Sequence, residues 1–152
     1  MSDDTFRSVD IERTSAGQYL ARNVRGGSIR VGHGSKDDGV DDDSFTPVEL
    51  FLAALGGCTA IDVDLATSRR TEPDEFRIRV TGDKIQDDSG NRMENLRIEF
   101  TVRFPAGESG DAARQVLPRA VRVSHDRLCT VSRTVELGTP VAAGIASEPV
   151  TG

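Results

Sequence analysis

From Leu50 to Ile61 the chain reads LFLAALGGCTAI, a stretch with no charged residue. Thr46-Pro47-Val48-Glu49 stands directly before it and fits a capping box, with Thr46 at the N-cap, Pro47 at N1 and Glu49 at N3. The spacing predicts a helix over residues 46–69. A helix that is apolar all round has to be covered all round. In a chain of 152 residues that calls for a sheet on one side and further cover on the other. A second copy of the chain is the natural candidate.

The segments around this helix read mostly as strands. In residues 1–32, Val9 and Ile11, Tyr19 and Ala21, and Ile29 and Val31 alternate with polar neighbours. Ala16-Gly17 and Gly26-Gly27 divide them into a three-stranded meander. Residues 33–45 form a polar, acidic loop rich in turn formers. Residues 75–83 and 94–104 alternate apolar and polar positions, as half-buried strands do, and QDDSGNRM joins them as a long hairpin loop. A second helical pattern covers residues 108–127, with a kink or split expected at Pro118. Val131, Val135 and Leu137 suggest a closing strand, and about the last ten residues, 143–152, look loosely held. Strands that do not alternate strictly with helices predict an α+β fold with a mostly antiparallel sheet, in one domain over residues 1–152.

Composition removes several classes of function. The formal charge is −6, which argues against nucleic acid as a main partner, because phosphate recognition needs a basic face. Hydrophobic content of 36% and charged content of 29% suit a globular chain. The start, MSDDTFRSVD, shows neither the basic nor the apolar part of a signal peptide. No apolar run reaches the length needed to cross a bilayer. The expectation is a cytoplasmic protein with no membrane partner. No phosphate-binding glycine loop occurs, and the acidic loop with His33 lacks calcium-loop spacing, so no cofactor and no metal are expected.

The chemistry centres on two cysteines, Cys58 and Cys129, 71 positions apart (58 to 129). Alone, Cys58 reads first as an inert, small apolar packing group on the face of Ala54, Leu55, Ile61 and Leu65. Gly56-Gly57 before it is costly inside a helix and points to close packing or exposed backbone. Cys129 follows His125-Asp126-Arg127, and a cation beside a thiol favours the thiolate; the pair of cations also fits a solvated helix end. Asp62, one turn after Cys58, either holds an arginine facing the sulfur or forms a surface turn with Asp64. Glu49 lies half a turn from Cys58 on the helix, and its capping role suffices to explain it.

Two motifs in this chain resemble a known family. TPVELFLAALGGCTAIDVDLA (46–66) is similar to the central-helix motif of the OsmC/Ohr family, in its OsmC-like branch. HDRLCTVSRTVE (125–136) resembles that family's second cysteine segment. The resemblance implies an intertwined homodimer in which curved antiparallel sheets pack on the central helices. It also implies a thiol peroxidase: Cys58 as peroxidatic thiolate, Cys129 as resolving thiol, an organic hydroperoxide as substrate and a lipoyl-type dithiol as external reductant. An N-terminal arginine activates the first thiol in such proteins; Arg13, Arg22, Arg25 and Arg30 are the candidates here. The chain departs from the family pattern at Val48, where a glutamate is usual, and at Thr130, where proline or serine is common. Two alternatives to the peroxidase remain open: a non-enzymatic dimeric stress protein holding a small apolar ligand between subunits, and a redox-sensing module.

Overall fold

The Thr46 amide donates to Glu49 Oε2 at 2.8 Å, and the Glu49 amide donates to Thr46 Oγ1 at 3.2 Å. This reciprocal pair starts the long helix α1, Pro47–Thr67, as the capping box predicts. The computed structural model describes residues 5–33 and 43–146. Their order is β1 (Val9–Ser15), β2 (Gln18–Asn23), β3 (Ser28–Gly32), α1, β4 (Glu75–Asp87), β5 (Gly90–Arg103), α2 (Glu108–Val123), a π turn (Ser124–Leu128) and α3 (Thr130–Leu137). The fold is α+β.

The chain divides into two compact units. The first comprises Met1–Gly57 and Ile78–Phe100. In it β1, β2 and β3 form an antiparallel sheet in that order, with Ile11 opposite Ala21 and Ala21 opposite Ile29. Gly17 (φ 67°) and Gly26 (φ 89°) turn the chain between strands in a backbone region that glycine favours. A parallel bridge joins Val31 to Phe45 and leads the chain into α1. Most of the acidic loop, residues 34–42, lies outside the described residues, as do residues 147–152 of the tail. Ala21, Val31 and Leu55 are buried here. Gly56 packs where a Cβ would stand 2.5 Å from Val80 Cγ2, so close approach explains this glycine.

The second unit comprises Cys58–Arg77 and Thr101–Gly152. Val63, Phe104, Ala113, Ala120 and Cys129 are its buried apolar residues. Glu75 ties the hairpin base, accepting from Arg77 at 3.0 Å and from Arg103 at 2.8 Å.

Four expectations need correction. The hairpin loop is short, not long: β4 and β5 run almost to its tip, where Asp87 accepts from the Ser89 amide at 2.8 Å and Gly90 takes φ 126°. The loop's polar residues are the exposed positions of the extended strands. α2 runs through Pro118 without a split; the proline removes one donor to the Arg114 carbonyl, and the change of helical type comes later, at Ser124. The segment after Cys129 is a helix, not a strand. Its β-branched residues suggest a strand, but Cys129 caps it by accepting from the Ser132 amide, and Gly138 (φ 64°) stops it. Lastly, α1 is long and apolar enough to cross a membrane by length and composition, with a mean hydropathy of 1.5. Asp62 and Asp64 interrupt a residue-by-residue count without lowering that mean much.

Burial on α1 follows one stripe, Leu55, Thr59, Val63 and Thr67, four residues apart. The single chain leaves Ala53, Ala54, Gly57, Ile61 and Leu65 exposed, Ile61 at 63% and Leu65 at 60%. Within one chain the helix is therefore covered on one side only. Thr46→Ala should lower stability by about 1 kcal/mol, and Thr46→Ser should restore most of it. Chemical denaturation checks both.

Candidate active site

Both cysteines fall in the second unit, and both are free thiols. α1 supplies Cys58, Thr59 and Asp62. The π turn and α3 supply Ser124, Cys129 and Ser132. Two side-chain bonds tie these segments together. Ser124 Oγ donates to Asp62 Oδ2 at 2.7 Å, and Thr59 Oγ1 donates to Cys129 Sγ at 3.5 Å. Asp62 thus takes a third course, neither holding an arginine nor closing a surface turn: it anchors the π turn one helical turn beyond Cys58.

The π turn sets the position of Cys129. The Cys129 amide reaches back five residues to the Ser124 carbonyl at 2.8 Å. Such a turn inserts one residue into a helical path and re-aims the chain beyond it. Cys129 then becomes the N-cap of α3. Its sulfur accepts from the Ser132 amide at 3.4 Å and lies 3.2 Å from Ser132 Oγ. Thr59 is 3% exposed, Ser132 5% and Cys129 0%, so these contacts are dry.

Cys58 and Cys129 are near enough for each to influence the other's proton affinity. Their proton affinities move in opposite directions. Burial pushes the half-buried Cys58 thiol up, and the neighbouring Cys129 pushes it further; the amides of Val131 and Thr130 pull it down without prevailing. Burial would also push Cys129 up. There the Ser132 and Thr59 hydroxyls, the Ser132 amide and the Cys58 thiol outweigh it, and the Cys129 thiol sits below its ordinary value. The first three amides of α3, from Thr130, Val131 and Ser132, are therefore shared between two sulfurs.

No cation is among the principal influences on either thiol. The expectation that His125 or Arg127 would lower Cys129 is not met. The His125 ring lies between Asp126 and Glu136, 3.0 Å from each, and Arg127 is exposed. Arg13, Arg22, Arg25 and Arg30 all lie in the first unit. Arg22 pairs with Glu12 at 2.9 Å, and Arg30 pairs with Asp43. Glu49 is occupied by the cap of α1. Sequence reasoning missed Thr59, Ser124 and Ser132. The spacing Cys129-x-x-Ser132 is that of an N-cap and its N3 residue, a signal present in the sequence.

The OsmC-like protein family profile matches residues 40–143. The chain belongs to the OsmC-like family. An uncharacterized protein of Mycobacterium tuberculosis is 32% identical over 133 residues, covering 86% of this chain and 90% of the relative. Among solved structures, the OsmC-like protein of Mycoplasma pneumoniae superposes with a TM-score of 0.66 at 14% identity, over 88% of this chain and 89% of that one. The organic hydroperoxide resistance protein OhrB of Bacillus subtilis gives 0.54 at 14% identity, over 84% and 90%. At these identities the two structures speak for the OsmC-like fold alone.

His125 yields a pH prediction. Its hydrogen bond to Asp126 raises its proton affinity against the opposing effect of burial, and Glu136 adds to the rise. The folded state thus binds this proton more tightly than the unfolded chain. The resulting stability is fully present below the unfolded value near 6.5 and is lost as pH rises through the folded one. His125→Gln should therefore destabilise the protein more at pH 5.5 than at pH 8.5, by a small margin because the ring is half exposed. Denaturation at both pH values measures it.

Proposed function

We propose that this OsmC-like protein reduces organic hydroperoxides with Cys58 as the peroxidatic and Cys129 as the resolving cysteine. One observation carries the reading: two thiols 71 positions apart (58 to 129) fall in one unit, near enough to influence each other's proton affinity. Family membership and a structural neighbour named as an organic hydroperoxide resistance protein support it. Access supports these roles. Cys58 is half-buried and Cys129 fully so, and only the former can meet a substrate from outside. A thiolate attacks the O–O bond and becomes a sulfenic acid; the second thiol condenses with it to a disulfide, which an external dithiol of the lipoyl type reopens by exchange. Apolar surroundings on α1 favour alkyl hydroperoxides over hydrogen peroxide.

The working form in this proposal is a homodimer. The exposed apolar face of α1, with Ile61 at its centre, is the surface a second copy would cover. The reaction is proposed to occur in the cytoplasm, where reduced thiols persist.

One equivalent of an organic hydroperoxide should join Cys58 to Cys129, read by peptide mass spectrometry as the loss of two hydrogens. Cys58→Ser should reduce hydroperoxide consumption at least a hundredfold. Turnover by Cys58→Ser at the rate of the unaltered protein would sink the proposal, and ligand binding that survives loss of both thiols would favour a non-enzymatic role. Ile61→Asp should shift the protein towards monomer in sedimentation equilibrium, because it places a charge on the face to be buried.

A further inference from the structure

We propose that the hydrogen bond from Ser124 to Asp62 is a latch that holds Cys129 beside Cys58, and that it decides whether an oxidised Cys58 closes on Cys129 or is oxidised further. Asp62 and Ser124 are then positioning residues for the disulfide step. The proposal rests on the peroxide reading above and extends it to what the oxidised thiol does next.

Geometry carries it. Asp62 stands four positions after Cys58 and shares its face of α1. Ser124 Oγ donates to Asp62 Oδ2 at 2.7 Å, a length typical of a hydroxyl on a carboxylate. The carbonyl of the same serine accepts from the Cys129 amide at 2.8 Å. Two hydrogen bonds through one residue thus join the helix that carries Cys58 to the backbone of Cys129. A third contact reaches the sulfur itself: Thr59, next to Cys58 in the chain, donates from Oγ1 to Cys129 Sγ at 3.5 Å. Ser124 and Cys129 are both 0% exposed. A serine in a helix commonly turns its hydroxyl back to a carbonyl of the preceding turn. Ser124 turns its hydroxyl to another helix instead.

A latch matters here because a disulfide tolerates little error: its two Cβ atoms stand about 3.5–4.5 Å apart. The π turn inserts one residue before Cys129. An ordinary helical turn in its place would move Cys129 about 100° round the axis and about 1.5 Å along it. Asp62 holds the residue at which the π turn starts and so fixes how the chain leads into Cys129. When a hydroperoxide oxidises the half-buried Cys58 to a sulfenic acid, two outcomes compete. In one, Cys129 attacks the sulfenic sulfur: an S–S bond forms, the S–O bond breaks, and hydroxide leaves with the thiol proton as water. In the other, a second hydroperoxide adds an oxygen, giving the sulfinic acid and an alcohol. A dithiol reverses the first outcome and not the second. A displacement of about 1 Å slows a positioned reaction about a hundredfold, so loss of the latch shifts the balance towards the sulfinic acid.

Equilibration of the full-length chain with reduced and oxidised glutathione tests the latch without any peroxide. Glutathione disulfide takes two electrons from the two thiols, giving the protein disulfide and two molecules of reduced glutathione. The unaltered protein should form the Cys58–Cys129 bridge, read by peptide mass spectrometry. Asp62→Ala and Ser124→Ala should each lower its equilibrium constant about tenfold, and Asp62→Asn, which keeps an acceptor oxygen, about threefold. Thr46→Ala, a destabilising change at the start of α1, should leave the constant unmoved. With excess organic hydroperoxide, the alanine variants should carry more sulfinic acid on Cys58 than the unaltered protein, read as a gain of two oxygens. An unmoved constant in the folded alanine variants overturns the proposal, as does an equal fall in Thr46→Ala or the absence of any bridge in the unaltered protein. Where hydroperoxide oxidises Cys58, an equal share of sulfinic acid overturns it too. If neither alanine variant folds, Asp62→Asn decides, and an unmoved constant there overturns it. Constants that shift as expected, in a protein whose thiols no organic hydroperoxide oxidises, refute the peroxide reading alone; ready oxidation by hydroperoxide with unmoved constants refutes the latch alone.

Discussion

The geometry of the second unit depends on a sulfur used as a helix cap. Cys129 ends the π turn through its amide and begins α3 through its side chain. Serine or threonine usually takes such a position because an oxygen accepts well from an N3 amide. A thiol is a poorer acceptor unless it is ionised. Thr59 and Asp62 on α1 hold that atom in place, one by bonding the sulfur and the other by bonding Ser124 at the start of the turn.

The position of Cys58 in the interior of α1 gives it no help from its own helix, since the dipole acts only within the end turns. A second helix, α3, presents its N-terminus instead. The groups that pull either thiol down are amides, hydroxyls and the neighbouring thiol, all neutral.

Much of the fold was legible in the sequence. The capping box at Thr46 and Glu49 set the start of α1 because its two reciprocal bonds need only local spacing. Alternation placed Leu96, Ile98, Phe100 and Val102 of β5, with Phe104 just beyond it, on one face; burial agrees for all but Leu96, which is exposed. The segment after Cys129 misled because valine and threonine favour strands locally, whereas a cap and a left-handed glycine enforce the helix. At the site, the two cysteines were legible and their polarity was not. Which sulfur is the more acidic depends on donors from three separate segments, and a π turn, which leaves no periodic signature, brings those segments together.

The absence of a cation from the principal influences has a further consequence. Ion pairing at a protein surface weakens as mobile ions accumulate around it, over a length of about 10 Å at 0.1 M. Amides and hydroxyls sealed around a fully buried sulfur attract few such ions. The contacts that seat Cys129 are thereby less open to screening by salt than a surface ion pair.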